Sequence, residues 1–481
     1  MPNGLAYLVL ALWPMICLFM FRRMSAERAL IWSILGGYLF LPPLAAFDLP
    51  LMPALDKVTV PNLTVLLILA VVLKHRVALI PESRMAQWLV AGFILCSFPT
   101  NLTNGDPIIF ELLMRADPIV FQINELPGQT VRDVGSMLIG QVLTIVPFLL
   151  ARQYLSSEQG LKEIMVALMV GALIYSIPSL IEIRFSPQIN VWIYGFFQHD
   201  FSQMMRGGGF RPIVFLPHGL WLALFVCTAL MATAALARAE TPPTNRRLFG
   251  CVLYLFVLLL LCKSAASIMY GLALTPVVLL LSQRMMIKIA LLFGLVAVIY
   301  PMLRGLNLIP IWSIVDLAAQ NISPERAHSL EFRFANEEIL LERAAEKPWF
   351  GWGGWGRNLI MDPETGRILT IPDGRWIIVF GTFGWLGYVC EFGLLGLPLV
   401  MMAVYVWRNH AAALSPFVGP LCLILGITMI DMLINATLTP VTWLCAGAIL
   451  GYAEKCMPRH ARAPRHDLRA AVIGRAGPPA T

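Results

Sequence analysis

The chain has 481 residues, of which 58% are hydrophobic and only 13% charged, with a formal net charge of +7. Soluble proteins carry roughly 25% charged residues, and single soluble cores stop growing near roughly 250–300 residues. So apolar a chain cannot cover a water-facing surface, which excludes a string of soluble domains and leaves an integral membrane protein.

Apolar runs of about 17–25 residues can cross a bilayer as helices. In order they lie near 4–21, 29–47, 58–73, 86–100, 135–153, 162–183, 212–237, 248–263, 266–283, 287–304, 376–406, 414–433 and 437–453. The first begins almost at Met1 with no basic residue before it, and so reads as an uncleaved span rather than a signal peptide. The expectation is an all-α polytopic membrane protein of about twelve or thirteen helices. Its parts are an N-terminal bundle (1–304), a loop domain (305–375), C-terminal helices (376–453) and a basic tail (454–481), the last expected to be disordered.

Basic residues recur after alternate runs. Arg22, Arg23 and Arg28 follow the first, Lys74 and Arg76 the third, and Arg152 and Lys162 lie between the fifth and sixth. Arg246 and Arg247, Arg284 and Lys288, Arg408 and the tail complete one side. The positive-inside rule makes that side cytoplasmic and puts the amino terminus outside. The net charge therefore speaks for topology and anionic lipid, not for nucleic acid. The nine cysteines lie in or beside the runs or in the tail, with no Cys-x-x-Cys, so neither a disulfide framework nor a zinc–thiolate site is expected.

The same alternation places the loops 101–134, 184–211 and 305–375 outside. A structureless loop of the last one's length would be unusual, so it is expected to be ordered and functional. Within it, 323–347 reads as a helix with Ser323 as N-cap, Pro324 in the first turn and Leu330, Phe334, Ile339 and Leu341 as its apolar face. Pro348 ends it. Residues 362–366 read as a turn between two short extended pieces.

Four features at this outer side carry candidate chemistry. Arg206-Gly-Gly-Gly-Phe-Arg211-Pro212 offers exposed backbone N–H groups and forked donors that suit phosphate oxygens, or else a flexible loop with snorkelling arginines. His218, about two turns on, reads as a packed polar residue. Lys263-Ser264 puts a cation beside small residues at a cavity rim or anchors a helix at the interface. The run from Ser329 through Arg333 to Arg357 places Arg333 on a polar helix face and adds Trp349, Trp352 and Trp355 among glycines. Such rings suit sugar faces, or an interfacial aromatic belt. Asp373-Gly374, before the next run, is a possible general base or simply a turn. Inside the runs, Asp431 with Asn435, and Glu391, form either a proton or ion relay or ties between helices.

In this order the features resemble the O-antigen ligase/polymerase family of bacterial membrane glycosyltransferases, which use polyprenyl-diphosphate-linked glycans. The resemblance rests on 206–211, on 263–267, on Ser329-x3-Arg333 followed by Pro348-x2-Gly351-x-Gly353, and on Glu391-x-Gly393-x2-Gly396. It covers roughly residues 200–400. Lys263-Ser264 stands where members often carry Ser-Arg, and the His-Asn pair that many carry before Glu-x-Gly is absent, which weighs more against a ligase than a polymerase.

The resemblance implies a C-type glycosyltransferase-like fold with a large periplasmic loop over an outward cavity, in the bacterial cytoplasmic (inner) membrane. It implies an inverting transfer from a polyprenyl-diphosphate-linked glycan to an acceptor glycan or lipid, as a polymerase of O-antigen or exopolysaccharide repeats. Arg206, Arg211, Lys263 and Arg333 would hold the donor diphosphate, and Asp373 or His328 would act as base. Trp349, Trp352 and Trp355 would contact glycan. No cofactor and no metal are expected; the partners are membrane lipids and other polysaccharide assembly proteins. The alternatives are a ligase acting on a lipid or protein acceptor and, in other classes, a lipid-linked oligosaccharide transporter or a non-catalytic scaffold.

Overall fold

A computed structural model describes residues 1–114, 120–321, 324–362 and 367–457. Each of the thirteen apolar runs overlaps a helix. The first two are α1 (Gly4–Arg23) and α2 (Ala26–Phe40), and α3 (Thr59–Leu67) runs on into a π-helical turn at Ile68–Val72. α4 (Arg84–Leu95) and α5 (Ser97–Leu102) precede an antiparallel pair, β1 (Ile108–Met114) and β2 (Val120–Leu126). Next come α6 (Val131–Tyr154), α7 (Glu158–Phe185), the short α8 (Ile189–Tyr194) and a two-residue pair, β3 (Met205–Arg206) and β4 (Gly209–Phe210). α9 (Gly219–Ala239), α10 (Thr244–Leu261), α11 (Ala265–Leu280) and α12 (Gln283–Gly305) complete the N-terminal bundle. The long loop contains α13 (Ile311–Asn321) and α14 (Pro324–Ala345), and α15 (Arg375–Arg408), α16 (Val418–Ile434) and α17 (Pro440–Cys456) end the described chain.

Among the described residues, eight helices are long and apolar enough to cross a membrane: α1, α4 continued by α5, α6, α7, α9, α10, α12 and α15. This is a mostly helical, multi-pass membrane architecture. α9 is apolar all round and almost wholly buried, as a central helix must be. Polar residues between runs act as caps: Ser25, Ser157 and Ser282 accept the backbone N–H of Arg28, Gly160 and Met285. Glycines let backbones meet. A Cβ at Gly447 or Gly451 of α17 would lie 2.1 Å from the carbonyl oxygen of Phe148 or Arg152 on α6.

Side-chain contacts sort the connections into two ends, as the alternation of basic clusters predicts. At one end Arg28 pairs with Glu163, Lys162 with Glu240, and buried Arg152 with Glu454 and the carbonyls of Ala78 and Ile80. At the other, Asn3 meets Ile193, Lys57 meets Phe215, Thr100 meets Phe350 and Arg304 meets Glu337. All nine cysteines are free thiols; seven are buried, and Cys251 and Cys456 are half-buried.

The expected single span at 376–406 is broken. Gly384 sits at φ +62°, ψ −160°, a non-helical conformation in the middle of α15. Arg375 and Glu391 nonetheless make a two-pronged ion pair at 2.7 and 2.6 Å. Sixteen residues of straight helix would separate them by about 24 Å along the axis, far beyond two side chains. The arm 375–383 therefore folds back along 385–408. Glu391, 1% exposed, is a tie within this hairpin.

The loop helix predicted over 323–347 is α14. Ser323 and the turn residues 363–366 lie outside the described residues, as does the tail beyond 457. The extended pieces flanking that turn do meet, through the bridge Met361–Ile368.

Candidate functional site

A cavity of about 420 Å³ opens at the end of the bundle where α14 lies. Arg206 and Arg211 line it from the β3–β4 hairpin, His218 from the start of α9, Ser264 from the start of α11, and Ser329 and Arg333 from α14. Asp373 and Asn435 close it. Four of the six predicted donor and catalytic residues thus converge from segments far apart in sequence. Three arginines and one aspartate are among the cavity's lining residues.

Local chemistry explains each position. Gly207 and Gly208 both take positive φ, as two-residue hairpins that match strand twist require. The hairpin is fastened to the α10–α11 turn by a reciprocal pair of bonds. Lys263 Nζ donates to Arg206 O at 2.8 Å, and Arg211 Nη2 donates to Lys263 O at 3.1 Å. Lys263 acts here as a fastener: its ammonium is held at the hairpin's backbone and does not line the cavity. The irregular segment 211–217 would be intolerable in lipid unless its polar groups were met inside the protein. Fully buried Glu182 accepts from Ile213 N and Val214 N at 2.8 Å, Tyr175 accepts from Phe215 N, and Gln198 donates to Val214 O and Leu216 O.

Arg333 is held by its Nη1, which donates to Ile434 O at 3.0 Å and Asn435 Oδ1 at 2.9 Å. Its Nε stands 3.6 Å from Asp373 Oδ2. Asn435 is oriented by Asp431, which also accepts from Thr437, so this pair ties helices together and positions Arg333. One turn along α14, buried Glu337 accepts from Arg304 Nε, Tyr300 Oη and Trp376 Nε1, pinning α14 to α12 and α15. Burial pushes the Asp373 carboxyl above its ordinary pKa, against the opposing pull of Arg333 and His199. His218 Nδ1 accepts the Leu220 N–H as an N-cap, which leaves the ring proton on Nε2, facing Gln203 Oε1 at 3.2 Å. Burial, then the neighbouring His199 and three arginines, lower its pKa to about 3, so the ring is neutral.

The structure places the remaining candidates away from this cavity. His328 is 84% exposed and leans towards Glu331 at 3.6 Å, not into the cavity. Ser329 and Arg333, four apart, line the cavity from α14 with Leu330 and Phe332 beside them, and His328 is not among the lining residues. Trp349, Trp352 and Trp355 do not line the cavity either. Trp349 and Trp355 are exposed. Trp352 is occupied: Arg343 lies 3.3 Å and Lys347 4.4 Å from its ring centroid, and its Nε1–H donates to Arg343 O.

What the Pro348–Gly353 segment does instead is complete the broken helix. Trp352 N and Gly353 N donate to Gly381 O and Thr382 O, while Trp385 N and Leu386 N donate to Pro348 O and Trp349 O. Four backbone groups orphaned by the break find partners in the loop. The approach needs glycine on both sides, since a Cβ at Gly351 or Gly384 would come within 2.4 Å of the other segment's backbone.

Among the described residues, no group of three or more His, Cys, Asp or Glu is placed to hold a metal ion. The chain matches no protein-family model and no curated protein.

Proposed function

We propose that this cavity binds a polyprenyl-diphosphate-linked glycan and that the chain transfers the glycan to an acceptor sugar hydroxyl. The product would be a polysaccharide built from repeats, made by a C-type glycosyltransferase-like protein of about thirteen spans. The large loop would face the periplasm from the bacterial inner membrane. The observation that carries the reading is Arg333 within 3.6 Å of Asp373 in a cavity shared with Arg206 and Arg211. A diphosphate leaving group develops charge as its C–O bond breaks, and preorganised guanidinium groups stabilise that charge. Asp373 takes the proton of the acceptor hydroxyl, whose oxygen bonds to the anomeric carbon as the bonding pair departs with the diphosphate. Attack from the opposite face inverts the configuration. A carboxylate whose pKa burial has raised is a stronger base than a surface one.

The test is the glycan profile of cells in which Arg333→Ala or Arg333→Lys replaces the native chain at matched membrane expression. Loss of long chains, with single repeats still on their carrier, is the expected result for Arg333→Ala. Free long polymer without its final attachment would instead indicate a ligase. An unchanged profile would remove the donor site and restore the transporter and scaffold readings.

A further inference from the structure

A second cavity, of about 180 Å³, is lined by residues near in sequence to those of the first. Pro217 and Trp221, Arg375, and Leu438 with Thr439 line the second, while their near neighbours His218, Asp373 and Asn435 line the first. Lys57 and Arg375 are its two cations. Lys57 is 5% exposed and donates to a neutral group, Phe215 O at 2.9 Å, with Tyr38 in cation–π range. No carboxylate lies within ion-pair distance of it among the described residues. Adjacent Asp56 is turned to Val58 N and Thr59 N, and Glu391 is taken by Arg375. Three helices begin at this cavity: α3 after Val58, α15 at Arg375 and α17 after Thr439. Helix starts present positive potential and favour anions. Burial lowers the Lys57 pKa to about 7 against the opposing pull of the adjacent Asp56, and an anion in the cavity would favour its charged form.

We infer that the Lys57–Arg375 cavity binds a phosphate-class oxyanion and holds the diphosphate of the acceptor lipid. The acceptor assignment rests on the polymerase reading, in which both substrates are lipid diphosphates and two anionic sites are needed side by side.

The test titrates polyprenyl diphosphate into the full-length protein in nanodiscs, read by native mass spectrometry. The wild type is expected to take two equivalents; saturation at one overturns the inference without any variant. Lys57→Gln keeps a donor for Phe215 O but removes the charge, and is expected to weaken one binding step about tenfold or more, the scale of a charge-assisted hydrogen bond. Lys57→Arg is expected to retain that step. Unchanged two-step binding by Lys57→Gln makes Lys57 a structural tie and overturns the anion site. Arg333→Ala is expected to weaken the other step alone; if it weakens neither, the donor reading fails while the Lys57 site stands. Phosphatidylglycerol and inorganic phosphate are the competitors. Displacement of the Lys57 step by either at equal affinity assigns the site to that source and overturns the acceptor role.

Discussion

Gly384→Ala would test the broken helix directly. An L residue at φ +62°, ψ −160° occupies a region that is essentially glycine-only, at a strain of about 1–3 kcal/mol. The new methyl would also lie 2.4 Å from Trp349 C, 2.5 Å from Phe350 N and 2.6 Å from Pro348 O, all backbone atoms fixed by the four latch bonds. Relieving such overpacking adds about 1–3 kcal/mol. Straightening the helix is no escape, because it would separate Arg375 from buried Glu391, and breaking a buried pair costs about 3–5 kcal/mol. The expected loss is therefore roughly 2–6 kcal/mol, whichever way the chain relaxes. The control is Gly250→Ala in α10, where a Cβ meets nothing within 4 Å and helix propensity improves. Thermal unfolding in detergent, followed by helical circular dichroism at one scan rate, should rank Gly384→Ala several degrees below wild type and Gly250→Ala at or above it. A Gly384→Ala protein that melts with the wild type would refute the latch.

Further expectations concern the cavity. Asp373→Asn should abolish glycan transfer while leaving the melting temperature within a few degrees. In the wild type, ionisation of Asp373 should give the rate an acidic limb centred above the ordinary carboxylate range, with activity rising as pH increases through it, because burial raises its pKa. An acidic limb at the ordinary carboxylate value would count against Asp373 as the base. His218→Ala should cost about 1 kcal/mol as a lost N-cap yet leave the pH profile unmoved between pH 5 and 9, since a ring with a pKa of about 3 is neutral throughout. Glu337→Gln should destabilise by about 3 kcal/mol, since it leaves buried Arg304 only the longer, half-exposed contact to Glu338 at 3.8 Å, and adding Arg304→Met should recover part of it in a double-mutant cycle of melting curves.

The helices were legible because length and apolarity are local properties; the caps that Ser25, Ser157 and Ser282 supply were not read. The fold-back in α15 was not read, although its signal was present: an apolar run from 376 to 406 is half as long again as a span needs. Of the glycines at 381, 384 and 387, whose spacing also suits helix packing, Gly384 is the break. α13 and the β1–β2 pair were missed altogether. Within the cavity, Arg206, Arg211 and Arg333 were legible as candidates because guanidinium groups beside glycines or on a polar helix face suit an anion. Lys263 could not be told from them, since its partner is a carbonyl 57 positions away, supplied only by the fold. Glu182 lies inside an apolar run, the ordinary mark of an intramembrane acid with a task. Lys57 stands alone before a span, and nothing in the sequence says that Arg375 shares its cavity.

The disposition of the thiols offers a way to read sidedness by chemistry. Cys251 and Cys456 alone reach the surface even in part, so changing them to serine leaves seven sulfurs sealed from aqueous reagents. Into that background a cysteine at exposed position 328 or 410 introduces one reactive handle at either end of the bundle. A membrane-impermeant maleimide added to intact spheroplasts should label the first at once and the second only after the membrane is permeabilised. The same two handles, carrying a fluorophore pair, span the long axis of the bundle and give its thickness as a transfer efficiency.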